Sequence, residues 1–293
     1  MKHYLEFILV KILSNIVILL PWKVNYWLAN RLGELSYIFL AKRRRLTIDN
    51  LTQSFKDQYN KKEIKYIAIN TFRNFGKSMI EFISLAKINK DNVDNFVTIK
   101  GLENLDEAKK RGKGIIILSG HLGNWELMAK ALILKGYPLN IMVRRQKNIL
   151  VEGLIEEKRD ESKVKTLSHK IAPREILQLL KNNEIIGMIA DQDGGEKGVF
   201  IDFFGRPAST IPSPVVFTMR SGADLIPIFD IRQKNNHHLI IIESPYQLIS
   251  TSDIKKDVVD NTQVLTKMLE SYIQQYPDQW FWLHNRWATK PKG

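Results

Sequence analysis

The sequence predicts an α/β fold with a largely parallel central sheet flanked by helices. Short apolar runs at 114–118, 139–143, 185–190 and 225–231 have the near-continuous hydrophobicity of strands covered on both faces. Helix-period segments alternate with them, the pattern of crossover connections in a parallel sheet. Gly112, Gly120, Gly123, Gly136 and Pro138 stand where one period gives way to the next.

Residues 4–20 are nearly continuous apolar sequence, with Leu5, Ile8, Leu9, Ile12, Ile16 and Leu19 along one helical stripe and Glu6, Lys11 and Asn15 off it. Polar residues in a stretch just short of the ~20 residues of a span favour a helix lying in the membrane interface over one that crosses it. Trp22, Tyr26 and Trp27 suit the headgroup level, and Pro21-Trp22-Lys23 is a poor cleavage context for a signal peptide. A buried first helix is the alternative. Residues 1–30 are therefore expected as an N-terminal hydrophobic membrane helix, an anchor for one catalytic domain over 31–293.

A second apolar stretch, 32–40, leads to Lys42-Arg43-Arg44-Arg45. Alone, such a run is a solvated face; beside a membrane helix it reads as a contact for anionic lipid phosphates, each cation contributing ~1 kcal/mol. Residues 46–89 are helical, with periodic Ile64, Ile67, Phe72, Phe75, Met79 and Phe82. A strand at 97–99 and a helix at 102–110 precede the strand at 114–118, and a helix over 125–134 has Asn124 as its N-cap. After the strand at 139–143 come helices at 150–163 and 173–181, the strand at 185–190 and a turn-rich segment at 191–212. A helix at 214–220, strands at 225–231 and 239–243 hinged at Asn235-Asn236, and a last helix over 253–275 complete the chain.

Lys and Arg outnumber Asp and Glu by 44 to 31, so the partners should be acidic: anionic lipid, nucleic acid or an acidic carrier protein. The absence of cysteine excludes disulfides, thiolate metal sites and a cysteine nucleophile. No Gly-x-Ser-x-Gly elbow supports a serine nucleophile, and Ser119 has no activating context. The aromatic-rich stretch 277–287 accompanies no nucleic-acid-binding module, so a packed terminus is expected there and nucleic acid is not an expected partner.

His121 falls in the turn between a buried strand and the helix that Asn124 caps. On one continuous helix His121 and Glu126 would point about 140° apart. With the turn between them they can converge, and Glu126 beside the positive helix end can orient an imidazole acting as general base. A Gly-His-Leu-Gly turn that merely packs satisfies the same residues. Arg144 and Asp191, like His121, follow strands, where ligands of open α/β sheets collect. Asp191 is read as holding a cation of the site, and Arg144, Arg145 and Arg159 as candidates to bind phosphate or steady an oxyanion. In Asp191-Gln192-Asp193-Gly194-Gly195 the calcium-loop pattern fails at Gly195, so no metal and no cofactor are expected.

Taken in order, these residues resemble the bacterial lipid A biosynthesis late acyltransferases, the lauroyl/myristoyl transferase group within the lysophospholipid acyltransferase-like superfamily. The resemblance covers nearly the whole chain. It rests on the N-terminal helix, Arg43-Arg44-Arg45 with Asn50-Leu51, His121-x4-Glu126, Arg144, Asp191-Gln192-Asp193, the stretch from Gly198 to Thr210, and Gln279-Trp280-Phe281-Trp282-Leu283-His284-Asn285-Arg286-Trp287. It departs at Gln192, where many members have histidine, and in a shorter, more polar N-terminal segment. The resemblance implies a glycerol-phosphate acyltransferase-like fold and an enzyme of the bacterial inner membrane, its site on the cytoplasmic face. It would move a fatty acyl chain from acyl carrier protein to a hydroxyl of an anionic glycolipid, a lipid A precursor. His121 would be the base, Glu126 its partner, and Arg159 and Asp191 functional neighbours. The oxyanion of the tetrahedral intermediate would be met by backbone N–H groups of the 120–124 turn or by an arginine, and the apolar residues of 199–204 would help enclose the acyl chain or, equally, form a core strand. The rival acceptor is a phospholipid or another glycolipid with acyl-CoA as donor; a non-catalytic basic membrane-binding protein is the rival of another class.

Overall fold

A computed structural model describes residues 2–291. The helical N-terminal part comprises α1 (Lys2–Leu19), α2 (Trp22–Phe39), α3 (Ala41–Phe55) and α4 (Lys61–Ile83). The α/β part continues with β1 (Val97–Lys100), α5 (Leu102–Arg111), β2 (Ile115–Ser119), α6 (Trp125–Leu134), β3 (Leu139–Val143), α7 (Ile149–Glu161) and β4 (Lys165–Ser168). It closes with α8 (Pro173–Lys181), β5 (Ile185–Ile189), β6 (Val199–Phe203), β7 (Arg206–Thr210), α9 (Ser213–Ser221), β8 (Asp224–Arg232), β9 (His238–Ile242) and α10 (Ile254–Gln275).

Seven strands form one sheet in the order β1-β9-β8-β2-β5-β3-β4. The body is parallel: β2 runs with β8 and β5, and β3 with β5 and β4. Only β9 turns back, antiparallel to β8 through the Asn235-Asn236 hairpin, and β1 runs with it. The alternation of side chains along a strand divides the core. Ile115 and Ile117 of β2 pack with Leu127, Ala131 and Leu132 of α6, while Ile116 packs with Ile176 and Leu180 of α8 and with Val215 of α9. Helices thus cover both faces, which is why the central strands are apolar throughout.

Two strand features differ from expectation. The edge strand β4, Lys-Thr-Leu-Ser, exposes three of its four residues, so it carries no apolar run to read. The turn-rich stretch at 191–212 contains the β6–β7 hairpin, which lies outside the main sheet. Gly198, Gly205 and Pro207 make it read as loop; a two-stranded ribbon tolerates the proline because neither strand has two neighbours.

The N-terminal expectation is met in part. The helix is present as α1, but among the described residues no helix is long and apolar enough to cross a membrane. Its apolar stripe faces outward: Leu5, Leu9, Ile12, Ile16 and Leu19 are all exposed, and only Val17 is fully buried. The boundary expected at residue 30 falls inside α2, which lies against α4 so closely that a Cβ on Gly33 would stand 2.7 Å from the Arg73 Cα. The basic run begins α3, and part of it is committed internally. Arg44 donates to the Tyr37 and Ile38 carbonyls at the end of α2, and Arg43 to the Leu283 carbonyl, leaving Lys42 and Arg45 exposed.

Candidate active site

Parallel neighbours β2 and β5 end side by side, and the turns that follow them carry His121 and Asp191. The His121 Nδ1 lies 2.7 Å from Asp191 Oδ1, and the His121 backbone N–H donates to Asp191 Oδ2 at 2.7 Å. An ionised carboxylate only accepts, so Nδ1 carries the proton and Nε2 presents its lone pair. Trp280, in the segment after α10, donates its indole N–H to the same Oδ2 at 2.7 Å. Burial pushes the Asp191 carboxyl up, but the imidazole and these hydrogen bonds outweigh it and hold the group below its ordinary value. The arrangement is a chain, indole to carboxylate to imidazole, with the His121 side chain 19% exposed and hence reachable.

Glu126 is placed differently from expectation. It sits in the first turn of α6, where Asn124 caps the helix by accepting from the Glu126 and Leu127 N–H groups at 3.2 and 3.1 Å. Its carboxylate is held bidentately by Arg159 of α7, at 2.5 Å and 3.3 Å, and among the described residues it forms no hydrogen bond or ion pair with His121. The expected roles are exchanged: Asp191, read as the holder of a cation, orients the imidazole, while Glu126, read as the imidazole's partner, holds the arginine. Arg144 follows β3 as expected but is exposed, and Arg145 lies 3.8 Å from Glu156. The carboxylate of Asp193 is taken by the Thr289 N–H and hydroxyl and by the Gly195 N–H.

The turn itself is pinned by the 277–287 strap. The Gly123 N–H donates to the Gln279 carbonyl at 3.1 Å and the Phe281 N–H to the His121 carbonyl at 3.0 Å. With the Asn124 N–H donating to Asp230, the amides of His121, Gly123 and Asn124 are all engaged, so these three are not available to an oxyanion. The donor facing the reacting nitrogen is a side chain: the Gln192 amide lies 3.4 Å from His121 Nε2.

Two spaces flank the dyad. A cleft opens on His121 and is lined by Phe75, Trp125 and Phe281. An apolar cavity reaches Ser119 and Asp191 and runs between Val215, Leu265 and Leu269. Phe203 of β6 lines it, while Ile201 and Phe204 pack into the core, so only part of the 199–204 segment faces this space.

The profile of the bacterial lipid A biosynthesis acyltransferases matches residues 1–289. The chain belongs to that family. The acyltransferase is 28% identical over 280 residues to the lipid A biosynthesis palmitoleoyltransferase of Escherichia coli, covering 94% of this chain and 88% of the relative. It is 25% identical over 281 residues to the lauroyltransferase of the same organism, covering 95% and 90%. A phosphatidylinositol mannoside acyltransferase of Mycobacterium tuberculosis matches at 27% over 199 residues, 65% of this chain and 60% of that one.

Sequence reasoning missed Trp280 as a member of this site. The aromatic density of 277–287 read as packing, which it also is: Trp280 and Trp282 are buried among Phe55, Phe203 and Phe204. No sequence pattern ties one indole to a carboxylate 89 positions away. Asn50, quoted in the resemblance, acquires a role as well, since its amide donates to the Trp282 and His284 carbonyls at 3.1 Å and holds the strap in place.

Proposed function

We propose that the acyltransferase moves a fatty acyl chain from the thioester of acyl carrier protein to a hydroxyl of a lipid A precursor, with His121 as general base. The observation that carries this reading is the His121–Asp191 pair at the ends of β2 and β5, with Nδ1 bound to the carboxylate and the imidazole lining a cleft. The hydroxyl gives its proton to Nε2 as its oxygen attacks the thioester carbon, and the imidazolium, facing ionised Asp191, returns the proton to the departing thiolate. Proton removal of this kind contributes roughly 10²- to 10⁴-fold. Gln192 supplies an N–H donor for the tetrahedral oxyanion, a task that a histidine at this position could also perform. Arg159, neutralised by Glu126, fixes α7 against α6 beside the cleft. The apolar cavity beside Asp191 takes the acyl tail.

The exposed stripe of α1, joined by Trp27, Ile38 and Phe39 of α2, lies in the interfacial region of the inner membrane's cytoplasmic leaflet. Lys42 and Arg45 and the excess of 44 basic over 31 acidic residues draw the protein to anionic lipid and to the acidic carrier. The name of the mycobacterial relative favours one second acceptor, an inositol-based glycolipid, and we pair that acceptor with acyl-CoA as donor. The deciding experiment measures acyl transfer from the carrier thioester to a tetra-acylated lipid A precursor in detergent, for the wild type and His121→Ala. Transfer by the wild type that drops by 10²-fold or more in the variant supports the substrate and the base. Transfer only from acyl-CoA to a phosphatidylinositol glycolipid would replace the first reading by the second.

A further inference from the structure

Beneath the His121 turn lies a charged cluster that the chemistry above does not use: Glu81 of α4, Asp230 and Arg232 of β8, and His238 of β9, none more than 6% exposed. Arg232 donates to both oxygens of Glu81 and, at 3.1 Å, to the Ser78 hydroxyl. His238 has a carboxylate at each ring nitrogen, Asp230 at 2.7 Å and Glu81 at 3.3 Å, so both nitrogens donate and the cluster holds two cations against two anions. Replacing such a buried set by apolar side chains is often neutral or stabilising, so stability of the fold is a weak reason for its presence.

What distinguishes the cluster is where its free valences go. Those that find a partner meet the Gly123–Asn124 peptide and the Asn124 side chain, while Asp230 Oδ1 and Arg232 Nε have none among the described residues. Ser78 donates to the Gly123 carbonyl at 3.0 Å, and the Asn124 N–H donates to Asp230 at 2.5 Å. The Asn124 side-chain amide donates to Glu81 at 2.7 Å, while its oxygen caps α6. Gly123 has φ +62°, and a Cβ there would stand 2.2 Å from the Asp230 carbonyl oxygen, so the close approach needs glycine. The gripped unit lies between His121 and Glu126, and its orientation decides how the imidazole stands relative to the Glu126–Arg159 pair.

We propose that Ser78, Glu81 and Asp230 are positioning residues: they fix the Gly123–Asn124 peptide, and through it the placement of His121 in the cleft. This rests on the reading of His121 as base. Displacement of a reacting group by ~1 Å can lower a rate about 10²-fold with little effect on binding. The least disruptive tests are Ser78→Ala, which frees the Gly123 carbonyl, and Asn124→Ser, which retains an N-cap oxygen but severs the link to Glu81. Each is expected to lower kcat at least tenfold with KM for the acyl donor within twofold, and to speed amide hydrogen exchange over 121–127 while the central strands stay protected. A kcat within twofold of wild type in both, in folded protein, overturns the proposal. So does unfolding of both, which would make the cluster a requirement of the fold. His121→Ala run alongside keeps the readings apart: if that variant retains activity, the base is misassigned, and the exchange over 121–127 still reports whether the cluster holds the turn.

Discussion

Asp191 accepts from a tryptophan, an imidazole and a backbone amide at once. Removing the indole N–H with Trp280→Phe leaves the carboxylate less satisfied, and kcat should fall about tenfold, as a hydrogen bond to a charged group of ~1.5–3 kcal/mol is lost. Asp191→Asn should cost more, because an imidazolium formed in the reaction then has no anion beside it. Steady-state kinetics on both variants check the order. Gln192→Ala should lower kcat about 10²-fold and Gln192→His should recover most of it, measured in single turnovers. At this scale the sequence was legible in residue type and illegible in partnership. His121, Glu126, Arg159 and Asp191 all stand at the cleft or beside it, but spacing along the chain paired His121 with the nearer carboxylate. Register between β2 and β5 pairs it with one 70 positions away, and no local pattern encodes register across a sheet.

Elements read best where their period and caps agree. The helix after Asn124 and the strand at 139–143 begin and end where expected, because a cap residue or a Gly-Pro boundary marks them. Of the β6–β7 hairpin only a rival strand at 199–204 was legible; β7 and the pairing were not, because the turn glycine and the proline are residues of loops. Two predictions belong to elements. Gly33→Ala puts a methyl group 2.7 Å from the α4 backbone, and overpacking of this kind costs about 1–3 kcal/mol. Thermal melting should show a Tm several degrees lower, with kcat of the folded fraction unchanged. Ile12→Glu on the outward stripe of α1 meets open surface, so it should leave Tm unaltered, while cosedimentation with anionic phosphatidylglycerol vesicles should fall severalfold.

For the molecule as a whole, buried ionised groups set a pH window of stability. Asp191 and Glu81 titrate below their ordinary range when folded, despite burial that pushes them up. Their contribution is complete above the unfolded carboxyl value of ~4 and is lost as pH falls through the folded values. His238 is raised, because Asp230 and Glu81 outweigh burial, so its contribution is complete below ~6.5 and is lost as pH rises through its folded value. The urea midpoint should therefore decline below about pH 4, where Asp191 and Glu81 take up protons, and above about pH 6.5, where His238 gives its proton up. The fold class was open to reading from alternation and apolar strands alone, since both follow from covering a parallel sheet on two faces. The strap that completes the site adds a consequence in time. It follows every strand of the sheet in the chain, and Trp280 can orient Asp191 only after α10 has passed. A nascent chain therefore carries its greasy first helix long before indole, carboxylate and imidazole can meet, so the outward stripe of α1 exists well before the site does.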